Sequence, residues 1–320
     1  MPPSISEKSP AFIATLCCLL SAFAYTGMNA CMRQLTLLNA DPFWAICCRE
    51  AVTTSLAGLW LVYRRSLGLP TLPPRPTLIR ILLIAVLVEV VANVCQQWSL
   101  GVLGLAVLVP TVFGSMIISG AVLGRVWLGE RVSLRTTFAI VVLIGSLSLL
   151  SLGAQGVASP GSEAVRPATI LLAIGLICFA GVVFATMTAV IRHSVTGPAL
   201  PAAVAFLVPL MGVVGLGPIC IARLGAVGLW NTPPDQLLFM AVAGVCNLIG
   251  FVALIHGLQR TTVVHANVLN ASQVAMAAIA GVFLFQESPN PSLVIGVVLS
   301  IAGILGVDRP VEARDEIVPP

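Results

Sequence analysis

The sequence predicts an all-α integral membrane protein of ten transmembrane helices, arranged as two inverted five-helix repeats. Three observations carry this expectation. Of 320 residues, 58% are hydrophobic and only 9% charged, with a mean hydropathy of +1.05, whereas a soluble domain is about a quarter charged. Ten apolar runs approach the roughly 20 residues that a helix needs to cross about 30 Å of hydrocarbon. Finally, residues 114–150 return in altered form as residues 271–307. An offset of 157 positions superposes Gly120 and Gly124 on Ala277 and Gly281, and Glu130 on Glu287; one inserted residue then brings Gly145 onto Gly303.

In chain order the runs fall at 11–32, 43–63, 78–98, 101–124 and 134–153, then at 168–191, 199–222, 235–257, 263–285 and 291–307. The first follows Lys8 and is too long for a signal peptide, so it reads as an uncleaved first helix. The second carries Arg49 and Glu50 about two turns below its outer end. The third has Glu89 near its middle, and Asn93, Gln96 and Gln97 follow at helical spacing, which gives it one polar face. Only a tight region from Gly101 to Gly104 separates it from the fourth, where Pro110 removes a backbone hydrogen bond and predicts a kink beside Thr111. Gly120 and Gly124 suit close helix packing.

Residues 154–167, rich in Gly, Ser, Ala and Pro, read as an exposed linker between a first repeat at 1–153 and a second at 168–308, with a short tail at 309–320. In the ninth run Asn267, Asn270 and Gln273 are spaced in threes and form one stripe, near His265 and Ser272. The repeat offset sets Asn267 against Pro110 and Gln273 against Met116, so these two helices are expected to face one cavity. Asn247 in the eighth run joins this group, while His193 and His256 fall near helix ends.

Orientation follows from the cations. With the N-terminus cytoplasmic, the inside segments hold Lys8, Arg64, Arg65, Arg75, Arg80, Arg125, Arg131, Arg135, Arg192, Arg260, Arg309 and Arg314, and the outside segments hold Arg33, Arg166 and Arg223. Twelve against three places both termini inside. Five helices per half is an odd number, so the second half enters from the opposite side. Two such halves can exchange conformations about a central site, which is the logic of a transporter.

Charge within hydrocarbon is costly and marks function or a structural network. Arg49 either snorkels into an ion pair or offers its fork of donors to an anionic substrate group, with Glu50 tuning it or carrying a proton. Glu89 either joins an interhelical hydrogen-bond network or binds a proton or substrate. The amide stripe either glues helices together or orients a small polar solute. The expected substrate-binding set is thus Arg49, Glu89, Asn93, Gln97, Asn267, Asn270 and Gln273, with Glu89 and Glu50 as the proton-coupling pair.

No catalytic elbow, His-rich metal pattern or nucleotide-binding Gly-rich loop is present, so an enzyme, a cofactor and a metal centre are not expected. Transport would then follow the solute's gradient or borrow that of an ion. Protons are the natural choice, and backbone carbonyls near Pro110 would suit sodium. The nine cysteines all lie in apolar runs at no metal-like spacing and read as packing residues. The net charge of +4 comes mostly from arginines between the runs, which points to orientation in a lipid bilayer rather than to nucleic acid.

The two acid-loop units, WLGERVSLRTTFAIVVLIGSLSLL and FLFQESPNPSLVIGVVLSIAGIL, together with Arg49 in ICCREAV, resemble EamA-type members of the drug/metabolite transporter superfamily over nearly the whole chain. The resemblance implies the inverted five-plus-five fold, cytoplasmic termini, a bacterial inner-membrane location, and export of a small organic solute such as an amino acid or metabolite. It also implies that helices one to four and six to nine line the cavity, with the fifth and tenth peripheral, where a homodimer would form. The family's early tryptophan-glycine pattern is replaced here by Ala24, Tyr25, Thr26, Gly27, Met28 and Asn29. A lipid or prenyl-carrier flippase would share this architecture, with a lateral apolar opening and one polar head-group site.

Overall fold

The computed structural model of the protein describes residues 10–127, 167–195, 201–285 and 291–306, with scattered helical positions between 134 and 149. All regular structure among these residues is helical. The helices are α1 (Pro10–Leu37), α2 (Pro42–Ser66), α3 (Arg75–Leu103), α4 (Leu105–Trp127), α5 (Pro167–Val195), α6 (Pro201–Trp230), α7 (Pro234–Leu258), α8 (Val263–Asn270), α9 (Gln273–Phe285) and α10 (Pro291–Gly306). Of these, α1, α2, α3, α5, α6 and α7 are long and apolar enough to cross a membrane. Phe23, Leu59, Leu83, Leu171 and Phe283 stand 68–79% exposed, an arrangement that lipid accepts and water does not. The chain is an integral membrane protein. The acid loops at Glu130 and Glu287 and most of the expected fifth span and linker lie outside the described residues.

Local chemistry sets the helix ends. Asp41 caps α2, its Oδ1 accepting from the backbone N–H groups of Phe43 and Trp44 at 3.0 Å each, while Pro42 takes the first turn, where no donor is missed. Arg64 and Arg65 complete the last turn of α2, where cations suit the helix dipole. Thr262 caps α8 by accepting from the N–H of His265 at 3.2 Å.

Two interruptions depart from the expected straight spans. α3 holds a π-helical turn at Leu87–Ala92, around Glu89. The ninth run is two helices rather than one, broken at Ala271 and Ser272, where the N–H groups of Ser272 and Val274 turn to carbonyls three residues back at 3.1 and 3.0 Å. The change of direction between the third and fourth spans occurs at Gly104, with φ 71°, and α4 then runs through Pro110 as one helix. The reversal needs the left-handed backbone that glycine adopts freely.

Lipid supplies no hydrophobic drive for helix association, so close approach at small residues does the packing. Gly250 lies under the Tyr25 ring and Gly257 against Cys18, which seats α7 along α1. Gly244 meets the Arg49 carbonyl and Val52, drawing α7 onto α2, and Gly215 meets Val90, drawing α6 onto α3. Gly181 of α5 meets Ser115 and the Val112 carbonyl of α4. The pieces α8 and α9 pack on α4 and α1. These contacts surround a central cavity with the π turn in its wall.

Candidate functional site

The cavity encloses about 120 Å³ and is bounded by side chains of α1–α9, so that segments from both halves of the chain contribute. By that measure of space it holds on the order of ten water-sized positions, the scale of a small organic molecule. Most of its wall is apolar. Its polar groups form two clusters.

The first cluster is charged and almost wholly buried: Arg49 is 5% exposed, Glu50 1% and Glu89 5%. Adjacent helical residues point about 100° apart, yet Arg49 folds back on its neighbour. Its Nε donates to Glu50 Oε1 at 2.6 Å, and its Nη2 lies 2.5 Å from the same oxygen. Its Nη1 points to Met28 Sδ at 3.6 Å. Asn247 Nδ2 donates to both oxygens of Glu50, at 3.3 and 3.2 Å, and also contacts Thr53 Oγ1 at 3.2 Å. The guanidinium fork expected to meet an anionic substrate group is therefore engaged by Glu50.

Glu89 is placed differently. Its Oε2 accepts from Asn93 Nδ2 at 2.6 Å, one helical turn on. Among the described residues no cation lies within salt-bridge distance of it. Gly212 of α6 faces both acids: a Cβ there would stand 2.8 Å from Glu50 Cγ and 3.2 Å from Glu89 Oε2. The cluster thus contains one guanidinium and two carboxyl groups, gathered beside the cavity. A π turn widens the helix and recurs at functional sites; here it carries the acid without a countercharge.

The second cluster is a line of amides. Gln96 Nε2 donates to Asn29 Oδ1 at 3.5 Å, Asn29 Nδ2 to Gln273 Oε1 at 3.4 Å, and Gln273 Nε2 to Asn270 Oδ1 at 3.4 Å. Asn270 Nδ2 in turn donates to the Ala266 carbonyl at 3.1 Å. The line links α3, α1, α9 and α8 across the break at Ala271. The buried Nδ2 of Asn267 has no hydrogen-bond partner among the described residues and packs on Gly120, whose missing side chain gives it room.

Of the residues expected at the site, Arg49, Glu50, Glu89, Asn93, Asn267, Asn270 and Gln273 lie on the cavity wall. Gln97 turns elsewhere, donating to the Met32 carbonyl at 3.3 Å and to Thr36 at 3.1 Å, which fastens α3 to α1. Its neighbour Gln96 takes the cavity position. Pro110 lies within α4, and the tight region expected from Gly101 to Gly104 holds a turn at Gly104. Sequence reasoning passed over Asn29, whose place in the departed tryptophan-glycine stretch was its only signal, and the aromatic wall of Tyr25, Phe113, Phe184 and Phe251. Aromatic residues are ordinary in membrane helices, and nothing in their spacing marked these. Among the described residues no group of His, Cys, Asp or Glu has the arrangement of a metal site.

The two ends of the bundle are tied by separate contacts. At the end where α1 meets α2, Arg33 Nη1 donates to the Leu100 carbonyl at 3.3 Å, Arg223 pairs with Asp41 at 3.2 Å, Trp44 Nε1 donates to Thr232 at 2.9 Å, and Gln236 donates to the Leu38 carbonyl at 3.1 Å. At the opposite end Arg192 Nη1 donates to the Leu258 carbonyl, and Trp127 stacks on His193 with ring centroids 5.9 Å apart.

Residues 171–307 match the model of the EamA-like transporter family. No curated protein sequence matches the chain. A solved structure, described only as the crystal structure of a protein, is similar with a TM-score of 0.67 at 16% identity, over 92% of this chain and 97% of that one. At that identity the likeness shows a common fold.

Proposed function

We propose, on the premise that this chain is an EamA-type membrane transporter of the drug/metabolite transporter superfamily, that it carries a small organic solute by alternating access around the central cavity, outward from the cell and at the expense of a proton gradient. The observation that carries this reading is Glu89, an acid buried with no salt-bridge partner among the described residues, in the wall of a cavity that both halves of the chain enclose. Such a group either holds a proton or faces a ligand, and a carrier needs a group that alternates between the two. Substrate contacts fall to Glu89, Asn93 and the amides of Asn267, Asn270 and Gln273. Glu50 stays with Arg49.

The ten-span inverted repeat, with units at 1–153 and 168–308 and the linker at 154–167, is supported by the pairing of the helices. α1 packs on α7 as α5 packs on α3; α1 packs on α8 and α9 as α5 packs on α4; α2 packs on α7 as α6 packs on α3. Exchanging the halves turns each pair into its counterpart. Arg33 with Leu100 and Arg192 with Leu258 are such counterparts too, at offsets of 159 and 158 residues, and they sit at opposite ends of the bundle. In each, a guanidinium holds the last-turn carbonyl of the neighbouring helix, so one latch serves each face. The cation distribution favours cytoplasmic termini, and a bacterial inner membrane suits that reading.

The test compares metabolites in medium and cytoplasm of cells producing this protein with those of cells producing equal amounts of the Glu89→Gln variant. A solute class that leaves the cell only with the native protein supports the reading. Equal movement by both proteins removes Glu89 from it. A change in neither would turn attention to lipid flipping by the same architecture.

A further inference from the structure

The two clusters on the cavity wall are unequal in what they leave for a ligand. Positive charge is spent: both Nε and Nη2 of Arg49 meet one oxygen of Glu50, and Nη1 is turned to Met28. Negative charge is not. With both acids ionised the buried cluster would carry one excess negative charge, a costly condition in hydrocarbon. The groups facing Glu89 do not offset it. From α2 these are Arg49 and Glu50, already paired with each other. From α1 it is Tyr25, a phenol. On α3 itself it is Asn93, and α6 presents only the bare backbone of Gly212. On the same cavity wall α5 contributes Met187 and Thr188, and α7 contributes Asn247, which is bonded to Glu50; none carries charge.

The remaining wall suits the same sign of ligand. Tyr25, Phe113, Phe184 and Phe251 line it, and the negative faces of aromatic rings attract cations, most strongly where water is excluded. Methionine sulfurs of Met28, Met116 and Met187 add polarizable, adaptable surface. A carboxylate or phosphate would find amide donors, the Tyr25 and Thr188 hydroxyls and an arginine already engaged by Glu50.

We propose, building on the transport reading above, that the solute is a small organic cation, an amine in its ammonium form with an apolar body, and that its ammonium takes the place of a proton at Glu89. The exchange is balanced. The protonated carboxyl releases H⁺ to solvent, the carboxylate accepts the ammonium N–H donors, and the site stays neutral in both states. One proton leaves for each monovalent cation bound. This narrows the solute away from zwitterionic amino acids, whose carboxylate would have to compete with Glu50 for Arg49.

Three probes of matching shape and differing charge test this: phenethylammonium, 2-phenylethanol and phenylacetate, each with roughly ten non-hydrogen atoms, the size the cavity accepts. The full chain is purified in nanodiscs, binding is read by titration calorimetry, and proton release is read by a pH indicator in weak buffer. Saturable binding is expected for phenethylammonium alone, with about one proton released per molecule bound and an apparent Kd that falls up to tenfold per unit rise in pH while Glu89 is protonated. Glu89→Gln should abolish both binding and release, whereas Glu89→Asp, which keeps the carboxylate, should retain proton release on binding. Equal or tighter binding of phenylacetate, binding of phenethylammonium without proton release, full binding by Glu89→Gln, or no binding of any probe would each overturn the cation class. The transport reading fails separately, by the absence of any solute flux in cells; a native-dependent flux of an anionic or neutral solute would sink the cation class alone.

Discussion

Gly212 shows how a single missing side chain shapes the site. A methyl group there would press on Glu50 at 2.8 Å and on Glu89 at 3.2 Å, so Gly212→Ala is expected to destabilise the protein by about 1–3 kcal/mol through overpacking and to lower transport. Gly217, on the same helix, has nothing within 4 Å of its missing Cβ. Its replacement by Ala should be neutral or stabilising by up to about 1 kcal/mol, the gain in helix propensity. Thermal unfolding in detergent compares the two, and equal shifts would contradict the packing argument. A second pair separates roles that adjacent residues conceal. Gln97→Ala should lower the unfolding temperature with transport per folded molecule preserved, because Gln97 fastens α3 to α1, whereas Gln96→Ala should change transport with little effect on stability. Reversed effects would exchange their assignments. At this scale the sequence announces Glu89, Asn267, Asn270 and Gln273, because a polar group in an apolar run must have a reason to be there. It does not announce that Arg49 bends back to Glu50, since that depends on long, flexible side chains and on Asn247 arriving from a distant helix. Nor does it choose between Gln96 and Gln97.

Among the elements, α3 and the α8–α9 pair depart most from regular geometry, and both border the cavity. Neither the π turn nor the break at Ala271 has a Pro or Gly to declare it. Local hydrogen bonds four residues apart, Asn93 to Glu89 and Asn270 to the Ala266 carbonyl, lie at these irregular turns, and the sequence gives no breaker residue that would have placed them. Gly104, which does declare itself in the tight region between the third and fourth runs, turns the chain there, and Pro110 lies within α4. The paired arginine latches belong to this scale as well. Removing one of these hydrogen bonds, in Arg33→Ala or Arg192→Ala, should shift the balance between conformations by about 1 kcal/mol, roughly fivefold. With Thr188→Cys as the sole cysteine, an impermeant thiol reagent should then react faster from the α1–α2 side in the first variant and from the opposite side in the second. Acceleration from the same side in both, or from neither, would remove the latches from the transport cycle.

For the whole molecule, apolar run lengths were enough to announce the six long membrane helices, because hydrocarbon thickness is a strong constraint. The helix partners were less legible. Small residues such as Gly244, Gly250 and Gly257 say that some neighbour comes close, but not which one. If the cation distribution sets the orientation, a thiol reagent applied to intact cells should label a cysteine placed at Asp235, in the first turn of α7, and not one placed at Ser66. The opposite pattern would invert the topology.

The Arg49–Glu50 pair rides on a single helix, one charge of each sign within one turn. Carrying one elementary charge through 100 mV involves about 2.3 kcal/mol, but a helix bearing both signs at nearly the same depth moves almost no net charge through the field. Rocking of this pair with α2 is therefore nearly silent electrically. On the transport reading proposed above, voltage dependence would come from the cargo and from Glu89 rather than from the paired charges beside them.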